Sequence, residues 1–213
     1  MNEKSRSRWT IIGCIIIILV YACEYHIWLL ITTYTSSTPS IVEQKTMRTN
    51  NGIADFARTN TALVYRNNVI YRECDQGCEA INLFWKGMKY RTDGKIGVQP
   101  CLQMYFSSYQ LETDSIIPAN SLVIYLNNGD SIAKHAVLKY MPHSTGHLKR
   151  YYFCHASRES SYEFLTNREI TLLRSCPIVS MKIETQNDVL IKSVSPKASQ
   201  NITNRLSFLL NSL

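Results

Sequence analysis

The chain has 213 residues, 45% hydrophobic and 18% charged, with a formal net charge of +7. From Asn50 onward 18 Lys and Arg stand against 13 Asp and Glu, and only Lys86, Lys89, Arg91 and Lys95 are grouped. So dispersed an excess argues against nucleic acid as a partner, even with Trp85 and Tyr90 beside that group.

The first predicted element is a transmembrane helix. Trp9 to Ile31 is a run of 23 residues with one carboxylate, Glu24. At ~1.5 Å per residue it reaches ~35 Å, enough for a hydrocarbon core of ~30 Å. Lys4, Arg6 and Arg8 precede it, and no Lys or Arg comes after it until Lys45. The positive-inside rule then keeps the N-terminus cytoplasmic and exports the chain beyond the span. Glu24 and His26 fall near the outer end of the span, where Tyr25, Trp28 and Tyr34 suit an interface, as Trp9 does at the inner end. The run is long for a cleaved signal peptide, although Thr33–Ser37 offers small residues for a cleavage site. Val20–Tyr21–Ala22–Cys23 only loosely resembles a lipoprotein box, because Tyr21 is bulky where a small residue is usual.

The expected organisation is therefore residues 1–8 cytoplasmic, 9–33 a signal-anchor helix, 34–52 a polar tether and 53–213 an exported domain. Thr35–Gly52 is rich in Ser, Thr and Asn and reads as flexible. The remaining residues, about 160, suffice for one sizeable core or two small ones, with a possible subdivision near 115–120.

Within the domain, Thr61–Tyr65 and Val69–Arg72 flank Asn67–Asn68 and predict a hairpin. Ile81–Trp85 predicts a strand before a turn at Thr92–Gly97, and Leu102–Leu111 predicts a longer one. Leu122–Leu126, Asn127–Asn128–Gly129 and Ser131–Leu138 form a hairpin pattern, with Asn-Gly suited to a type I′ turn. Leu148–Ala156 predicts another strand. Thr166-Asn-Arg-Glu169 fits a capping box opening a short helix that ends near Cys176–Pro177. Ile178–Glu184 and Val189–Val194 predict a further hairpin. Ser195–Pro196 opens the last helix, whose Ala198, Ile202, Leu206, Leu209 and Leu213 make one apolar stripe, with Lys197 and Arg205 on its polar face. The fold class expected is α+β: a mostly antiparallel, hairpin-built sheet, a short capped helix and a C-terminal amphipathic helix packed on the sheet.

Three stretches also carry a resemblance: Ser121–Leu122–Val123–Ile124–Tyr125–Leu126–Asn127–Asn128–Gly129–Asp130, then Phe164–Leu165 with Leu172–Leu173, then Ser180–Met181–Lys182–Ile183–Glu184–Thr185. Together they resemble a pattern in exported proteins of unknown activity from Bacteroides-type bacteria. The resemblance runs from Ser121 to Leu213 and implies an envelope location. It implies no catalytic residue.

Five of the seven cysteines (Cys74, Cys78, Cys101, Cys154, Cys176) fall in the expected exported part. Cys74 and Cys78 are spaced for a small loop disulfide, and equally for two unrelated thiols. Four histidines, His135, His143, His147 and His155, are symmetric about Thr145. A hairpin centred there would set His143 against His147 and His135 against His155, all on one face. Eight residues of strand span ~26 Å, so these are two half-sites for zinc or copper and not one four-ligand site. Surface histidines are the default. Cys101 or Cys154 with one of them would be the nearest approach to a catalytic pair. Asp75/Glu79 and Glu112/Asp114 read as ordinary solvated carboxylates. Asn201-Ile202-Thr203 matches a glycosylation acceptor but falls on the last helix with Ile202 inward. No phosphate loop or cofactor motif occurs.

The function expected is a non-enzymatic binding or assembly module: anchored in the bilayer by residues 9–33, facing the periplasm or cell surface, and holding a protein partner. The alternatives are an anchored enzyme or metal protein using the His135–His155 hairpin, or a subunit of a secretion or conjugation apparatus.

Overall fold

The computed structural model describes residues 12–17, 38–66, 78–106, 119–141, 156–185 and 189–213. It divides into Met1–Tyr34 and Thr35–Leu213. In the first unit residues 12–17 are helical (α1), with Ile12, Ile15, Ile16 and Ile17 exposed. The rest of the expected span lies outside the described residues. Among the described residues no helix is long and apolar enough to cross a membrane.

In the second unit the described strands form one antiparallel sheet. They are β1 (Ile41–Thr49), β2 (Gly52–Thr59), β3 (Ala62–Arg66), β4 (Cys78–Tyr90), β5 (Ile96–Phe106), β6 (Ala119–Leu126), β7 (Ser131–Met141), β8 (Ala156–Tyr162), β9 (Ile178–Thr185) and β10 (Val189–Ser193). Their order is β1-β2-β4-β5-β8-β7-β6-β9-β10. Two helices, α2 (Asn167–Ser175) and α3 (Pro196–Ser212), complete the unit. The sheet-rich α+β class, with a C-terminal helix on the sheet, is as expected.

β3 lies off the strand path and shares one edge of β4 with β2: β2 pairs with Lys86–Tyr90 and β3 with Ala80–Leu83. Where the chain passes between them, Thr59 Oγ1 accepts from the Trp85 N–H at 3.0 Å, in the place of a ladder carbonyl.

The sheet must curl. α3 packs against β2, β3 and β4 and also against β9. β4 and β9 are five strand steps apart, ~24 Å in a flat sheet, whereas a helix is only ~10 Å across. Both halves therefore wrap the helix. β10 comes round to β3, where the Lys192 ammonium sits 4.1 Å from the centre of the Tyr65 ring. Ile81, Leu83, Trp85, Val98, Leu102, Met104, Leu122, Ile124, Met181 and Ile183 line the inner face, and Ile202, Leu206 and Leu209 fill it from α3. Trp85 also donates its indole N–H to Ile202 O at 3.0 Å.

Wrapping on several sides explains why Arg205, expected on the polar face of α3, is fully buried. Its Nη1 donates to Asn201 O one turn back, at 2.9 Å. The stripe Ala198, Ile202, Leu206 and Leu209 is buried as the spacing predicts.

Three further expectations change. The stretch Thr35–Gly52, read as a tether, contains β1, an edge strand of nine residues paired to β2 across the Asn50–Asn51 turn. The Asn127–Gly129 hairpin forms, but Leu126 N donates to Asp130 O and Gly129 N to Leu126 O. That makes a three-residue loop with Gly129 at φ 89°, not a two-residue type I′ turn. Finally, Ala136 pairs with Tyr162 and Leu138 with Ser161, so β7 does not pair about Thr145. His135 O accepts from Glu163 N at 3.0 Å and His135 N donates to the Glu163 carboxylate at 3.1 Å, eight residues beyond His155. Register obeys the buried Tyr162 ring, not the histidine symmetry.

The two capped helices match their signals. Thr166 and Glu169 close a capping box on α2, and Ser195 Oγ accepts from Ala198 N with Pro196 in the first turn of α3. At Gly129 an added Cβ would meet nothing within 4 Å, so Gly129→Ala isolates the backbone term. It is expected to lower stability by about 1–2 kcal/mol, and Gly129→Asn by less, in thermal unfolding monitored by circular dichroism.

Candidate functional site

Alternation along β4 sends Ile81, Leu83 and Trp85 toward α3 and therefore Asn82, Phe84 and Lys86 to the opposite face. The register then builds a patch across four strands. Arg58 lies opposite Lys86, Phe84 opposite Cys101, and Asn82 opposite Gln103. On β8, Ser161 lies opposite Cys101 and Glu159 opposite Gln103.

Glu159 is the hub. Lys86 Nζ reaches its Oε1 at 2.6 Å and Ser161 Oγ at 3.1 Å. Arg58 Nη2 reaches its other oxygen at 3.4 Å, long for a charge-assisted bond. The Arg58 guanidinium lies over the Phe84 ring, 4.2 Å from its centre, and Lys86 Nζ is 5.6 Å from that centre. Side-chain exposures are 23% for Arg58, 20% for Lys86 and 12% for Glu159, so the charges are shielded from water. Opposite Arg58 on β1, Glu43 pairs with Lys45, so the three cations and two carboxylates of this face leave a single positive charge.

Three hydrogen-bonding atoms here are buried without a partner: Arg58 Nε, Asn82 Nδ2 and Asn82 Oδ1. Asn82 is fully buried. Each such group costs on the order of 1–3 kcal/mol when left unpaired. Beside them the Cys101 thiol donates to Ser161 Oγ at 3.3 Å. Burial pushes its thiol up to about 11, so at neutral pH it is protonated and a poor nucleophile. Chemically this is a cationic cluster gathered on one carboxylate, with a protonated thiol beside it.

The other residues singled out from sequence behave differently. Trp85 is buried, Lys89 donates to Leu213 O at 2.7 Å, Arg91 pairs with Asp55 and Lys95 with Asp93. The basic group near Trp85 is thus dispersed into separate contacts. The Arg91 and Thr46 hydrogen bonds hold the Asp55 carboxyl down to about 2. His135 is exposed on β7, opposite Ser121 on β6. His143, His147, His155, Cys74 and Cys154 lie outside the described residues, and Cys78 is placed only by its backbone, at the start of β4. Among the described residues, Cys14, Cys101 and Cys176 are free thiols, and no group of three or more His, Cys, Asp or Glu could hold a metal ion. Asn201–Thr203 lies on α3, with Thr203 Oγ1 bonded to Leu173 O at 3.1 Å.

Sequence reading missed Arg58, Glu159, Ser161 and Asn82. The one signal available was Asn82, a polar residue inside the otherwise apolar run Ala80–Trp85, with Lys86 four positions on. No protein-family model, curated protein or solved structure matches the chain.

Proposed function

We propose that the chain is a single-span, membrane-anchored envelope protein whose second unit is a non-enzymatic binding or assembly module outside the cytoplasm. The observation that carries this is the apolar run Trp9–Ile31 behind Lys4, Arg6 and Arg8. Support comes from α1, which lies inside that run and exposes four isoleucines, a surface suited to lipid. The shielded ionic patch around Glu159 supports the binding role, because it serves neither the core nor a visible reaction. The resemblance of residues 121–213 to exported proteins of Bacteroides-type bacteria points the same way.

The test is a bacterial membrane preparation of the full chain carrying a C-terminal alkaline phosphatase, which is active only outside the cytoplasm. Retention in the membrane after carbonate washing together with phosphatase activity is the expected result. Release by carbonate would remove the anchor, and an inactive reporter would reverse the orientation.

A further inference from the structure

We infer that the outer-face patch of β2, β4 and β8 is a binding site for the C-terminal carboxylate of a peptide. The inference rests on the binding-module reading above and names the chemistry of its partner. Three observations converge. First, Arg58 and Lys86 outnumber Glu159 by one charge, and the adjoining Glu43–Lys45 pair on β1 adds none, so a single carboxylate would make the patch neutral. Second, Arg58 is underused: its Nε has no partner and its Nη2 lies 3.4 Å from Glu159. A guanidinium normally offers two parallel N–H groups to a carboxylate, and here the Nε edge is buried and unpaired.

The third observation selects a peptide over a simple anion. Asn82 leaves both a donor and an acceptor unpaired, the pattern that a peptide bond complements with its C=O and N–H. An acetate would answer the donor and leave the acceptor unsatisfied, and hydrogen phosphate, which does carry an O–H donor, would bring two charges where the patch lacks one. On β4, Asn82 and Lys86 flank Phe84 on the same face, and Arg58 lies over that ring. The last residue of a peptide brings a carboxylate and an amide on adjoining atoms, which matches groups arranged around one ring. The side chains of Arg58 and Lys86 are partly exposed, whereas Asn82 is fully buried.

The test uses the full chain in detergent micelles and four probes read by saturation-transfer NMR: N-acetylglycine, N-acetylglycinamide, N-acetylaspartamide and inorganic phosphate. N-acetylglycine is expected to bind saturably in the ~1–10 mM range, as suits so small a ligand, while the other three bind at least ~10-fold more weakly. Asn82→Leu and Arg58→Gln are each expected to weaken N-acetylglycine about 10-fold or more. Thermal unfolding supplies an independent arm. Asn82→Leu replaces an unpaired buried amide with an apolar group of similar size, so its Tm is expected to stay level or rise. A large fall in Tm would show that Asn82 is already satisfied and would overturn the site. Failure of N-acetylglycine to saturate would also overturn it, as would equal binding of phosphate or of the aspartyl side-chain probe. Carbonate washing and the phosphatase reporter read the anchor and topology separately, so either proposal can fail without the other.

Discussion

Trp85→Ala is expected to destabilise the second unit by about 3–5 kcal/mol, the usual cost of emptying a large aromatic site. Domain stabilities are typically about 5–15 kcal/mol, so this one change would remove a large share of the margin. The residue joins three parts of the fold. Its ring is fully buried among the inner strands, its indole N–H holds Ile202 O on α3, and its backbone N–H is held by Thr59 where β2 gives way to β3. Trp85→Phe keeps most of the ring and loses the indole donor, so about 1–2 kcal/mol is expected. Urea unfolding of the full chain, monitored by far-ultraviolet circular dichroism, measures both. A loss below about 1 kcal/mol for Trp85→Ala would mean that α3 does not dock on β4 as described.

The second large effect concerns Lys134. Its side chain is 8% exposed and its ammonium contacts Glu169 at 2.7 Å and Phe164 O at 3.0 Å, tying β7 to the start of α2. Lys134→Ala removes the cation and leaves a mostly buried carboxylate, an expected loss on the order of 2–4 kcal/mol. Burial pushes the Glu169 carboxyl up, but the Lys134 hydrogen bond and the Thr166 backbone and hydroxyl outweigh it and hold it below its ordinary value. A carboxyl lowered by folding stabilises the native state fully above its unfolded pKa. That contribution is lost as pH falls through the folded value. The urea midpoint of the native sequence should therefore drop as pH goes below about 4.3. Lys134→Ala should show a smaller part of that drop, since its carboxyl loses the bond that lowers it. An unchanged acid profile would assign the stabilisation to other carboxylates.

How far the fold could be read from sequence depended on whether its cues were local. Thr166 and Glu169 are one helical turn apart, Ser195 and Pro196 are adjacent, and Asn127–Asn128–Gly129 is a single turn. Each of these fixes a few neighbouring dihedrals, and each produced the expected element. β1 was lost because an edge strand is paired on one side only and its residues are largely exposed, so Glu43, Gln44, Lys45 and Thr46 show no apolar alternation. The same Asn-Asn-Gly cue that marks residues 127–129 also stands at Asn50–Gly52 and would have found the β1–β2 hairpin.

Register and site were harder, because they depend on distant residues. Arg58 and Glu159 are 101 positions apart, and Lys86 and Glu159 are 73 apart. Nothing near any of them in sequence marks the meeting, which exists only after β8 pairs with β5. Arg205 shows the same limit from the other side. A stripe of period 3.6 assigns one face to the core, whereas a helix wrapped by a curled sheet has less than half its surface left for water.

That wrapping bears on the order in which the protein can form. The inner face of the sheet is completed by residues 196–212, which follow every described strand in the chain. Until they arrive, Trp85, Leu102 and Ile183 have no helix to cover them, and the strands can at most be loosely associated. Folding of the sheet thus waits for a helix that follows all the described strands and is dominated by contacts between distant segments, the class that folds slowly.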